Sequence, residues 1–182
     1  MWKTAHLLAV VALTVIPARH ATAAESPKFE VCDSTYALCT SARCTPISGE
    51  MNTVFCKCDV KTGLSIGKTS CHSKVESPEG TQIISRYYPL KTYAVCTNER
   101  RWASCFDMPC IIDKKDPSKT TCSCQLVSGE GPWLMITDSY NASICTTGLY
   151  SSASVEESKR TTDFLKTSKL KPFEVKVLSE AR

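Results

Sequence analysis

The chain has 182 residues, 12 of them cysteine, with 22 lysines and arginines against 18 acids, a formal net charge of +4. A balance this close to neutral, without a recognisable recognition module, argues against a protein that works by neutralising phosphates, so no nucleic acid is expected as a partner. Cysteine in this number, and in even count, points away from a reducing compartment and predicts disulfides throughout.

The chain begins with Met1–His6, which carries Lys3, followed by an apolar run of 11 residues, Leu7–Pro17, and the small residues Ala21-Thr22-Ala23-Ala24. Residues 1–24 read as a secretory signal peptide. The run is shorter than the roughly 18 to 20 residues that cross a bilayer, and no later segment is as apolar, so no membrane span is expected. The mature chain is expected to be secreted or periplasmic.

Beyond the leader, Cys39-x4-Cys44-x11-Cys56-x-Cys58 recurs 66 residues later as Cys105-x4-Cys110-x11-Cys122-x-Cys124. The echo includes Tyr36-Ala37 with Trp102-Ala103 and Gly63 with Gly129. Cys32 and Cys71 flank the first core, Cys96 and Cys145 the second, so each copy owns six cysteines. A period of this size means a supersecondary unit copied in tandem. We expect module 1 over 25–77, module 2 over 78–150 and a polar segment over 151–182. The expected class is all-β or β-rich and disulfide-rich: two tandem homologous six-cysteine modules with a short C-terminal helical or disordered segment. All disulfides are expected to close within modules.

In chain order, Cys44–Cys58 reads as a β-hairpin with its turn at Ser48-Gly49. Gly63–Gly67 follows as a glycine-rich turn beside a brief strand, Leu64–Thr69. Lys74–Gly80, with Pro78, reads as a linker, and Thr81–Val95 as two strands bent at Pro89. The second hairpin spans Cys110–Val127 around Asp116-Pro117-Ser118, and Pro132–Thr137 is a further strand. Residues two apart in a strand share a face, so Cys56 and Cys58, like Cys122 and Cys124, tie their strand to two different neighbours. Cys44 is expected to bond one of the first pair, Cys110 one of the second. Ser154-x-x-Glu157 is a capping box opening a helix to about Lys169, and Phe173–Val177 alternates like a strand.

Catalytic signals are weak. Gly63-Leu64-Ser65-Ile66-Gly67 matches the G-x-S-x-G elbow, but that motif needs an α/β sheet and a downstream histidine, and His72 is the only histidine after the leader. One histidine assembles no His-rich zinc site, there is no Cys-x-x-Cys, and Asp107, Asp113, Asp116 and Asp138 are scattered. The chain is therefore expected not to be an enzyme, with no catalytic, metal or cofactor-binding residues; a small secreted hydrolase is the minor alternative. The expected function is binding of an envelope or extracellular protein or glycan. Arg100, Arg101, Trp133 and Tyr140 are the candidate contacts, because arginine, tryptophan and tyrosine dominate binding hot spots. Trp102 and Trp133 also have a competing role as core. A further alternative is a protease inhibitor presenting the Lys114–Lys119 loop.

Overall fold

The computed structural model describes residues 28–71, 74–87, 92–129, 131–136, 142–168 and 176–181. Twelve strands and one helix follow in order: β1 Glu30–Leu38, β2 Cys44–Pro46, β3 Thr53–Gly67, β4 Val75–Ser77, β5 Gly80–Ile84, β6 Thr92–Cys96, β7 Trp102–Ser104, β8 Pro109–Ile112, β9 Lys119–Val127, β10 Trp133–Ile136, β11 Ser151–Ser154, α1 Val155–Thr167 and β12 Lys176–Ala181. The protein is strand-rich and stapled by six disulfides, with a short C-terminal helix.

The repeat governs the assembly. β1 and β2 both pair with one edge of β3; β7 and β8 pair in the same way with β9. β3 and β9 then pair with each other, antiparallel, with Cys56 opposite Cys122. This register is symmetric under the 66-residue shift. Thr53 pairs with Gln125 and Asp59 with Lys119, and these two pairs are exchanged by the shift. A pseudo-two-fold axis therefore passes between Cys56 and Cys122.

Alternation places the cysteines inward. Val54, Cys56 and Cys58 on β3 and Thr120, Cys122 and Cys124 on β9 are buried, while Phe55, Lys57 and Gln125 point out. The disulfides follow the repeat: Cys39–Cys58 and Cys44–Cys56 in the first copy, Cys105–Cys124 and Cys110–Cys122 in the second. Cys32–Cys71 and Cys96–Cys145 are the outer pair. No described disulfide joins one copy to the other. The sulfurs of Cys39, Cys105 and Cys124 nevertheless lie within 4.8 Å of one another, as do those of Cys39, Cys110 and Cys122. The centre of the core is thus made of packed cystines, which suits a small chain short of large apolar side chains.

Two further segments cross the symmetry seam. Ser85, which the 66-residue shift maps onto Ser151 and so groups with the first copy although it lies beyond position 77, is parallel to Ala37 but hydrogen-bonds the second copy: its Oγ donates to Cys105 O and accepts from Met108 N at 2.9 Å. Ser151, 66 residues on, repeats this against Ala103, with its Oγ donating to Cys39 O and accepting from Ala42 N at 3.0 Å. Each seam serine thus bonds one carbonyl and one amide of the opposite copy, Ser151 doing so beside the direct Ala42 N–Cys39 O bond of 3.2 Å.

Three local readings change. Lys74–Gly80 is not a free linker: it contains β4, the outer arm of a hairpin with β5, which in turn pairs with β8. Gly63–Gly67 is neither a turn nor a separate strand, because β3 runs unbroken to Gly67, with Gly63 absorbing a φ of +129°. The reason is β1, which pairs with β3 over Asp59–Gly67 and supplies the backbone partners that a turn would have left to water. The tail is ordered where described: Ser154 caps α1 by accepting Glu157 N at 3.1 Å, and β12 adds parallel to β6. Pro89, Thr137 and the expected strand's first residues, Phe173–Val175, lie outside the described residues.

Candidate functional site

The described candidate contacts in the second copy differ in burial. Trp133 is core: it is 4% exposed, packs with Cys96, Trp102, Val127, Met135 and Cys145, and its Nε1 donates to Asn98 O at 3.3 Å. Trp102, equally buried, shares that cluster. Burial removes the ring from any partner, because it packs inside this apolar cluster. Arg100 and Arg101 are exposed, and Arg100 Nη2 donates to Gly148 O at 3.3 Å. Tyr140 and His72 lie outside the described residues. Ser65 of the G-x-S-x-G match is 1% exposed with its Oγ donating to Cys32 O at 3.4 Å, which places it as strand interior.

Exposed apolar side chains gather instead on the first copy. Phe55 is 43% exposed on the outward face of β3, and Met51, in the turn that leads into β3, is 85% exposed. Phe55 faces Thr45 on β2 and Ser123 on β9. Around it on the same face are Thr53, Lys57, Thr121 and Gln125, with Lys57 Nζ donating to Thr121 Oγ1 at 2.8 Å. The counterparts of Met51 and Phe55 under the 66-residue shift are Pro117 and Thr121. The scaffold is two-fold symmetric, but its outward face is not. Directly behind it, four disulfides hold β2, β3, β8 and β9 or the turns that lead into them. Side-chain alternation carried this information in the sequence: a residue between Val54 and Cys56 must point away from the cystines.

A cleft of about 450 Å³ lies between the β4–β5 hairpin and the 113–118 loop. Its floor includes Gly80, whose φ of +139° favours glycine. Lys74, Glu76, Thr81, Asp113 and Lys114 supply its polar groups and Ile112 and Pro117 its apolar ones. The loop is folded on itself by two aspartates: Asp113 Oδ1 accepts Lys115 N at 2.8 Å, and Asp116 Oδ1 accepts Ser118 N at 3.1 Å and Ser118 Oγ at 2.6 Å. The Ser118 bonds hold the Asp116 carboxyl below its ordinary range. Lys119 Nζ is tied to Asp59 at 2.6 Å, which raises the lysine's pKa.

A buried charged cluster lies elsewhere, at the end of β3. Arg86 Nη1 donates to Thr69 O at 2.9 Å and its Nη2 to Glu30 O at 3.0 Å, with Asp107 Oδ1 at 3.8 Å from Nη1. Asp107, at φ +59°, accepts Lys68 N at 2.7 Å and Thr69 Oγ1 at 2.9 Å. Burial pushes the Arg86 guanidinium below its ordinary value, and Asp107 and Glu30 oppose the shift. Both terminal nitrogens of Arg86 and both carboxylate oxygens of Asp107 have structural partners, while Arg86 Nε is buried without one, and the cluster reads as a clamp joining β1, β3 and the second copy. Burial likewise raises Tyr87, whose hydroxyl donates to Ser152 O at 3.0 Å.

The chain matches no protein-family model, and comparisons with curated proteins and with solved structures find no match.

Proposed function

We propose that the protein is a secreted binding protein, not an enzyme, and that it engages an extracellular or envelope protein or glycan through the outward face of the β2–β3–β9–β8 sheet. Six closed disulfides fit an oxidising compartment, and among the described residues no helix is long and apolar enough to cross a membrane. The observation that carries the reading is the exposure of Phe55 on a sheet pinned from behind by cystines, with Met51 exposed in the turn that leads into β3. A large ring on a rigid support loses little conformational freedom when a partner covers it, so more of its burial appears as affinity. The surrounding threonine, serine, lysine and glutamine side chains supply hydrogen bonds around that anchor.

The loop-inhibitor alternative has less support. A protease takes its ligand as an extended segment, whereas Asp113 and Asp116 fold this loop into turns and Asp59 engages Lys119. Assaying trypsin with the oxidised protein distinguishes the two readings. The main reading is tested by parallel capture from an extracellular fraction with the wild-type protein and with Phe55→Ala and Met51→Ala. A partner retained by wild type and by Arg101→Ala but lost by Phe55→Ala, with unchanged melting temperatures, supports it. A partner bound equally by all four proteins refutes it.

A further inference from the structure

We propose that the cleft between the β4–β5 hairpin and the 113–118 loop is a separate ligand site, and that it takes an acidic sugar through a carboxylate or sulfate group. The site is independent of the Phe55 face. Its volume of about 450 Å³ falls within the span of small-ligand pockets, roughly 300–1,000 Å³.

The chemistry follows from which polar groups are already engaged. Both carboxylate oxygens of Glu76 accept the Thr81 hydroxyl, at 2.8 and 3.0 Å, and Asp113 Oδ1 accepts Lys115 N. The ammonium groups of Lys74 and Lys114, in contrast, have no hydrogen bond or ion pair among the described residues. The group the cleft lacks is therefore an oxyanion. The remaining lone pairs of Glu76 and Asp113 only accept, and a bare inorganic anion would meet two carboxylates with nothing to offer them. A ligand that carries hydroxyl donors beside its oxyanion satisfies both sets, and an acidic sugar has that pattern on one small ring. Ile112 and Pro117 give its C–H surface an apolar contact.

The fold keeps the space open. A Cβ on Gly80 would come 3.3 Å from Ile111 Cγ2 and 3.4 Å from Lys114 Cε, so the Lys114 stem passes next to Gly80, and the φ of +139° there favours glycine. β5 is held from the other side by β8, where Ile83 opposes Cys110 of the Cys110–Cys122 bridge. Both walls of the cleft are thereby anchored to one disulfide, which preorganises the site before any ligand arrives.

The test is an amide chemical-shift titration of the full oxidised protein at low ionic strength. The probes are a trigalacturonate, a sulfated trisaccharide, a neutral trisaccharide, inorganic sulfate and free glutamate. Either acidic trisaccharide should shift Gly80, Thr81, Asp113 and Lys114, and the two together show which oxyanion is preferred. The Lys74→Gln/Lys114→Gln variant should bind at least about tenfold more weakly, while Lys166→Gln, on exposed α1, should bind like wild type. The proposal is overturned if neither acidic trisaccharide shifts these residues, if the neutral one binds as well, if the double lysine variant binds unchanged, or if inorganic sulfate or glutamate binds more tightly than both. Failure here leaves the Phe55 capture experiment unaffected, so the two proposals stand or fall separately.

Discussion

Gly67 gives the sharpest test of how the two copies are clamped. It ends β3 in an ordinary backbone conformation, so alanine there adds no φ strain, only a methyl group. That methyl would sit 2.6 Å from Arg86 Nη1 and 2.7 Å from Arg86 Cζ, and closer still to Asp107 Oδ1. Neither partner moves freely: the Arg86 side chain is 3% exposed and that of Asp107 11%. Overpacking alone costs about 1–3 kcal/mol, and disrupting a buried charged pair about 3–5 kcal/mol. Partial yielding of the clamp places Gly67→Ala near 3 kcal/mol, a large share of the roughly 5–15 kcal/mol that holds a domain folded. Urea unfolding with disulfides intact, followed by the fluorescence of buried Trp102 and Trp133, reads this directly. Asp107→Gly removes the closest obstacle and suits a residue at φ +59°. In that background the cost of Gly67→Ala should fall by about 1 kcal/mol or more. A cost below about 1 kcal/mol for Gly67→Ala, or an equal cost in both backgrounds, refutes the clamp, because overpacking against a rigid pair cannot be that mild.

Four further outcomes follow from the same geometry. Trp133→Ala should cost about 3–5 kcal/mol in thermal or urea unfolding, whereas exposed Arg101→Ala should stay within about 0.5 kcal/mol. Ser85→Ala leaves Cys105 O and Met108 N without their hydroxyl partner and should cost about 1–3 kcal/mol, whereas after Ser151→Ala the direct Ala42 N–Cys39 O bond of 3.2 Å remains, so chemical denaturation should find the smaller loss there. Tyr87 is raised above its ordinary 10.0 by burial, reinforced by Glu157 and Asp107, so the unfolded chain releases this proton at lower pH than the folded one. Stability from this group is complete below pH 10.0 and falls as pH rises beyond it, and unfolding across alkaline pH should show that fall diminished in Tyr87→Phe. Cys71 is exposed while the other eleven cysteines are buried, so mild reduction followed by alkylation and peptide mapping should label Cys71 and Cys32 first.

Much of this architecture was legible in the cysteines. Their 66-residue offset announced two copies, and the Cys-x-Cys pairs announced strands whose two sulfurs reach different neighbours, as Cys56 does with Cys44 and Cys58 with Cys39. The hairpins and the Ser154 cap were also written locally, in turn residues and the first-turn glutamate, because such signals act within a few residues of themselves. Side-chain alternation even held the outward direction of Phe55, and the same offset that relates the cysteines relates Ser85 to Ser151.

Tertiary structure alone decided which surfaces were left uncovered. Trp133 and Phe55 are both large rings on strands, and composition marks either as core or as anchor. Trp133 is buried because Cys96, Trp102, Val127, Met135 and Cys145 pack with it in the second copy's apolar cluster, while Phe55 is exposed because nothing described covers the outer face of β3. The β3–β9 register, the clamp of Arg86 on Asp107 and the cleft at Gly80 likewise join residues far apart in the chain. Spacing reports which residues share a face; only the closing of distant strands over the cystines fixes which face is buried and which meets solvent.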